Sequence, residues 1–223
     1  MQSEGQSKAM NKQTISNQLR AVIIACGVLV LLLAIRFGLK QMFYYAFPQV
    51  ADERFVSMCV MILMSVGIVL TAHRLGMRAS VFPKERIGIY AATGVLAVSL
   101  MVSGPLLMGA SDWTLWQDML YGSVVTPIFE ELIFRGYLWE SLKKRFDNEF
   151  HVYLITTVLF ALWHFGYVDS LAARIGFDGL GYVMLMKASV GLVYGVIVGF
   201  VRYKTKNAYA SILLHGVMNV FGR

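Results

Sequence analysis

The sequence predicts an all-α fold: a polytopic transmembrane helical bundle of about seven spanning helices with its N-terminus in the cytoplasm. Three observations carry this. The 223 residues are 57% hydrophobic and only 15% charged, where an ordinary soluble domain is nearer 25% charged. The apolar residues fall in long uncharged blocks, and a spanning helix needs roughly 20 predominantly apolar residues in a row. The Lys and Arg residues gather in alternate connections between those blocks.

The chain opens with residues 1–18, rich in Gln, Ser, Asn and Lys, which read as a disordered polar tail. Helix one starts at Ala21 and is uncharged to Ile35, continuing to Phe47 if Arg36 and Lys40 snorkel. No small-x-small cleavage site follows it, so a retained anchor is expected rather than a signal peptide. Helices two and three follow at 55–72 and 87–111. Residues 19–118 thus hold the first three helices of one membrane domain. Helix four, 119–139, is apolar apart from Glu130, Glu131 and Arg135. Helix five, 150–168, contains His151 and His164. Helix six, 180–201, is broken only by Lys187, and 207–222 closes the chain. Residues 119–223 form the helical core that carries the candidate site.

The net charge of +7 has an address. Thirteen Lys and Arg residues lie in the N-terminal segment and the connections after helices two, four and six; five lie on the other side. Cytoplasmic loops carry such an excess. The basic balance therefore reports topology and contact with lipid headgroups, and nucleic acid is not an expected partner. The two cysteines, Cys26 and Cys59, lie in apolar blocks, which excludes a disulfide scaffold and reads as small buried thiols. The apolar content excludes intrinsic disorder. Trp113, Trp116 and Trp139 fit interfacial belts, and Gly191, Gly195 and Gly199 give helix six a smooth face for close packing. Lys187 is expected to snorkel to the outer interface.

Helix four is the informative element. A central charge costs about 2.5–3.5 kcal/mol on insertion scales, so three of them are expected to face a protein interior or a wet cavity. Glu131 and Arg135 stand at i,i+4 and can pair. Glu130 is rotated by about 100° and has no local partner. Pro127, one turn earlier, frees a carbonyl or starts a kink. His164 lies one turn after Phe160, and His215 shares a face with Asn219 at i,i+4. Each falls well inside its segment, so Glu130, His164 and His215 can meet near mid-membrane. A buried carboxylate can take a proton from water. Two imidazoles can steer that water or bind a metal, and a carboxamide can donate to an oxyanion. Glu130, His164 and His215 are also a plausible open three-ligand set for zinc or another divalent ion.

Glu130-Glu131-x-x-x-Arg135, Phe160-x-x-x-His164 and His215-x-x-x-Asn219 resemble, in order, the motifs of the CAAX-processing and bacteriocin-processing intramembrane proteases, the CPBP or ABI family. The resemblance runs from helix four to the C-terminus; helices one to three show no motif. It implies that Glu130 is the general base, that His164 helps bind water or a metal, and that His215 and Asn219 stabilise the oxyanion or complete a metal site. Glu131 would be held by Arg135. The family is classed among metalloproteases, and a metal-free glutamate mechanism stands beside that assignment.

The expected protein is a multi-pass endopeptidase of a plasma membrane, hydrolysing a peptide bond in a membrane-associated protein or peptide. Two other classes compete: a non-catalytic bacteriocin-immunity or peptide-binding membrane protein, and a proton-coupled transporter. The completeness of the three motifs weighs against the first. The lack of a second matching set of broken helices weighs against the second.

Overall fold

A computed structural model of the chain describes residues 2–50, 52–107, 109 and 113–221, with side chains from residue 13 onward. All regular structure among them is helical. Seven helices follow one another: α1 (Gln2–Ala46), α2 (Glu53–Arg74), α3 (Ile87–Leu107), α4 (113–143), α5 (Glu149–Ile175), α6 (Leu180–Thr205) and α7 (Ala208–Phe221). Five of them, α1 from Gln13 onward together with α2, α3, α5 and α6, are long and apolar enough to cross a bilayer. With apolar side chains such as Ile24, Val30, Val95 and Leu96 turned outward, the chain is an integral membrane protein.

Local chemistry sets several helix ends. Asp52 caps α2, accepting from the Arg54 and Phe55 amides at 2.9 and 3.2 Å. Asn148 caps α5 through the Phe150 amide at 2.9 Å. Lys206, left-handed at φ 58°, turns the chain from α6 into α7. Helix α1 runs from Gln2 to Ala46.

Close packing, rather than exclusion of water, holds helices together in lipid. The glycine face of α6 lies along α5 as expected. A Cβ on Gly199 would stand 2.9 Å from the Tyr153 ring, and one on Gly195 3.3 Å from Thr157 and Phe160. Helix α7 packs among α3, α4 and α6, where Gly216 rests against Met101 and the Ser123 carbonyl. Behind the site, Phe134 meets Phe160 and Trp163 edge-on at 5.2 and 5.7 Å.

Four sequence expectations are corrected. Arg36 and Lys40 do not snorkel: they are 1% and 2% exposed and join an internal cluster with Glu53, Asp169 and Ser170. Trp139 is buried rather than interfacial, donating to Glu149 at 2.9 Å beneath the Arg202 guanidinium. Lys187 turns inward, 5.5 Å from the centre of the Tyr167 ring. Cys26 is exposed and Cys59 half-buried. In each case hydropathy marks depth along the membrane normal, whereas burial depends on which helix stands opposite.

Candidate active site

Helix α4 is not a uniform α-helix. Its path runs Trp113–Met119 in α geometry, Leu120–Val125 in π geometry, Thr126–Glu131 in α, Leu132–Leu138 in π and Trp139–Lys143 in α. The first wide turn ends at Val125, two residues before Pro127, which lacks the amide to close an ordinary turn. There the Thr126 amide reaches Tyr121 O, five residues back, and the Thr126 hydroxyl donates to the same carbonyl at 2.7 Å. The α segment between the two π turns carries Glu130 and Glu131. Such bulges re-aim side chains inside a helix.

The two carboxylates have separate surroundings. Glu131 is fully buried and turned away from open space. Its Oε1 accepts from Arg135 Nη1 at 3.1 Å and from His215 Nδ1 at 3.0 Å. Arg135, equally buried, donates through Nη2 to the Gly195 carbonyl at 3.2 Å and lies 4.3 Å from the centre of the Phe160 ring. The i,i+4 pair read from the sequence is therefore present, and it supports His215 from behind.

Glu130 faces a chamber of about 150 Å³ lined by α4, α5, α6 and α7. His164, His215 and Asn219 line the same chamber, so four of the six candidate residues meet there. His215 Nε2 stands 3.9 Å from Glu130 Oε2. His164 gives its Nδ1 hydrogen to Phe160 O at 2.8 Å, since a carbonyl can only accept. That assignment leaves the Nε2 lone pair to the chamber. Gly191 makes room for the ring: a Cβ there would stand 2.6 Å from His164 Nδ1. Asn219 donates one amide hydrogen to Gly122 O at 2.7 Å and keeps a second.

Sequence reasoning missed Tyr167. It stands on the 3₁₀ turn His164–Tyr167 that interrupts α5, and its hydroxyl donates to Glu130 Oε1 at 2.7 Å while accepting from Trp163 Nε1 at 3.0 Å. The available signal was its spacing, three residues after His164 and four after Trp163. The turn is held from α1. Arg36 donates to Gly166 O at 2.7 Å, pairs with Asp169, and places its guanidinium 4.7 Å from the Tyr167 ring centre. Lys40 completes the cluster at 2.7 Å from Asp169 and 2.8 Å from Glu53. Arg174 pairs with Glu53 and donates to Tyr121 Oη at 3.0 Å, lining the chamber on that side.

The donor types Glu130, His164 and His215 suit a divalent ion, and both imidazoles have their far nitrogens hydrogen-bonded, as metal-binding histidines do. As placed, however, no three His, Cys, Asp or Glu side chains among the described residues converge closely enough to hold one.

Apolar helices around a carboxylate-bearing polar chamber define an integral membrane protein with a polar pocket inside its bundle. Residues 112–221 match the family described as Rce1-like, type II CAAX prenyl endopeptidase Rce1-like. This segment is a domain of that family, the CAAX-type intramembrane proteases. No curated protein and no solved structure matches the chain.

Proposed function

We propose that this protein is an intramembrane endopeptidase that hydrolyses a peptide bond in a membrane-associated peptide or protein, using water activated by Glu130. It works in a plasma membrane, with its N-terminus on the cytoplasmic side. The observation that carries the reading is the pair of contacts on Glu130. Tyr167 holds Oε1 at 2.7 Å, so Oε2 is the oxygen turned towards His215 and the chamber.

The steps follow from the groups present. A water in the chamber donates one hydrogen to Glu130 Oε2 and is oriented by the lone pair on His164 Nε2. As its oxygen attacks the scissile carbonyl carbon, Glu130 takes the proton. The carbonyl oxygen becomes an oxyanion, which receives the second Asn219 amide hydrogen and, when His215 is an imidazolium, its Nε2–H. Glu131 on the far nitrogen keeps that ring oriented, and Arg135 balances the charge of Glu131. The tetrahedral carbon then expels the amine, which takes the proton back from Glu130. A divalent ion bound by Glu130, His164 and His215 would add Lewis-acid polarisation of the carbonyl; every step above uses only the chain's own groups.

The test is cleavage of a membrane-peptide library by the purified protein, comparing wild type with Glu130→Ala and His164→Ala. Wild type is expected to cleave, and both variants to lose at least a hundredfold in rate. Unchanged cleavage by both sinks the mechanism. Peptide binding by wild type without any cleavage favours a non-catalytic binding protein instead.

A further inference from the structure

A second cavity, of about 680 Å³, lies between α1, α2 and α4. Its walls are almost wholly aliphatic: Ala25, Val28 and Leu32 from α1, Met64 and Ile68 from α2, and Ile133 from α4 stand for the rest. Gly67 of α2 opens it further, since a Cβ there meets nothing within 4 Å. No residue lines both this groove and the chamber that holds Glu130, so a chain lying in it does not present a bond to the site.

Its size and its rim say what fits. The α2 wall runs from Leu63 to Leu75 and the α1 wall from Ala21 to Leu39, about 18 and 27 Å at 1.5 Å per residue, so the groove reaches past the middle of a 30 Å hydrocarbon layer. At the end marked by Ala21, Leu75, Met77 and Leu142, Arg20, Arg74, Arg78 and Lys144 lie within two residues along the chain, all exposed. Two carboxylates near that end are already engaged: Glu140 by Arg202, Glu149 by Lys206 and Lys143. A long aliphatic slot with exposed cations at one end matches an acyl chain carrying an anionic headgroup.

We infer that the α1–α2–α4 groove is a binding site for one anionic phospholipid of the cytoplasmic leaflet, with an acyl chain against Gly67 and Ile133 and its phosphate among Arg20, Arg74 and Lys144. The lipid fills a space that side chains leave open and fastens the α1–α2 pair to the helix that carries Glu130. Cytoplasmic leaflets supply anionic headgroups, and each nearby Lys or Arg adds to their attraction.

The test titrates the detergent-purified full chain with dioleoylphosphatidylglycerol, dioleoylphosphatidylcholine or farnesol and follows retained molecules by native mass spectrometry. Wild type is expected to hold one phosphatidylglycerol roughly tenfold more tightly than phosphatidylcholine. The double variant Arg74→Ala with Lys144→Ala loses that preference, and Gly67→Trp, which fills the slot, loses retention of both phospholipids. Equal retention of the two by wild type, or undiminished phosphatidylglycerol retention by the Gly67→Trp protein, overturns the proposal. Preferential retention of farnesol also overturns it and assigns the groove to an isoprenoid chain. Should Gly67→Trp not fold, the rim variant leaves the aliphatic walls intact and decides: an unchanged headgroup preference overturns the site.

Discussion

The Tyr167 hydroxyl donates to Glu130 Oε1 across 2.7 Å, joining two helices through a contact between residues 37 positions apart. It fixes which carboxylate oxygen faces the chamber. A hydrogen bond to a charged group is worth about 1.5–3 kcal/mol, so Tyr167→Phe is expected to lower kcat roughly tenfold to a hundredfold with little change in KM. A tyrosine needed only for packing would leave kcat and its pH profile unmoved, since the phenyl ring is retained. Steady-state kinetics of the purified variant against pH separates the two.

Arg135 and Glu131 neutralise one another in full burial, and removing one partner strands the other. Arg135→Ala is expected to destabilise the protein by about 3–5 kcal/mol, read as a lower Tm in detergent. Arg135→Met with Glu131→Gln recovers part of that loss, because neither charge is then left alone. Equal Tm values for Arg135→Ala and wild type would contradict the pairing.

The α6 glycines differ in what a methyl group would meet. Gly191→Ala drives a carbon into the His164 ring, whereas Gly195→Ala meets Thr157 and Phe160 at 3.3 Å and asks for a smaller adjustment. Gly191→Ala is therefore expected to cut cleavage at least tenfold, and by more than Gly195→Ala does, with rates compared at equal folded fraction. The reverse order of activities would show that His164 is not set by that contact.

The donor arrangement around Glu130 predicts that cleavage persists in a chelator. As placed, the two imidazoles and the carboxylate do not converge on one point, and the water-activating steps need none. Incubation with 1,10-phenanthroline, followed by activity and elemental analysis, checks this. Loss of activity that zinc restores would establish a metal enzyme whose ligands draw together on binding.

Much of this was open to reading in one dimension. Glu131 and Arg135 are one helical turn apart, so their pairing is a property of local geometry. Glu130, His164, His215 and Asn219 stood out as polar groups inside apolar blocks, a pattern with few explanations in lipid. The number of helices was legible from block length. What was hidden depends on tertiary neighbours. Arg36 and Lys40 look like snorkelling cations until Asp169, 133 and 129 positions away, is seen opposite them. The first π turn of α4 ends where Thr126 bonds Tyr121 O just before Pro127, and neither π turn leaves a periodic trace. Tyr167 was passed over because a tyrosine near a membrane interface needs no special reason.

The Arg36–Asp169 and Lys40–Glu53 pairs bear on where this protein can be divided. Family similarity begins at residue 112, yet the turn that presents Tyr167 is clamped by a cation from α1, and Arg174 is balanced by a carboxylate from α2. Recognisable ancestry and cooperative folding thus have different borders. A piece cut at residue 112 would carry every motif and lack the counter-ions that keep Asp169 and Arg174 neutralised within the bundle. Two of the three helices without a signature, α1 and α2, supply the counter-charges of the half that carries the motifs.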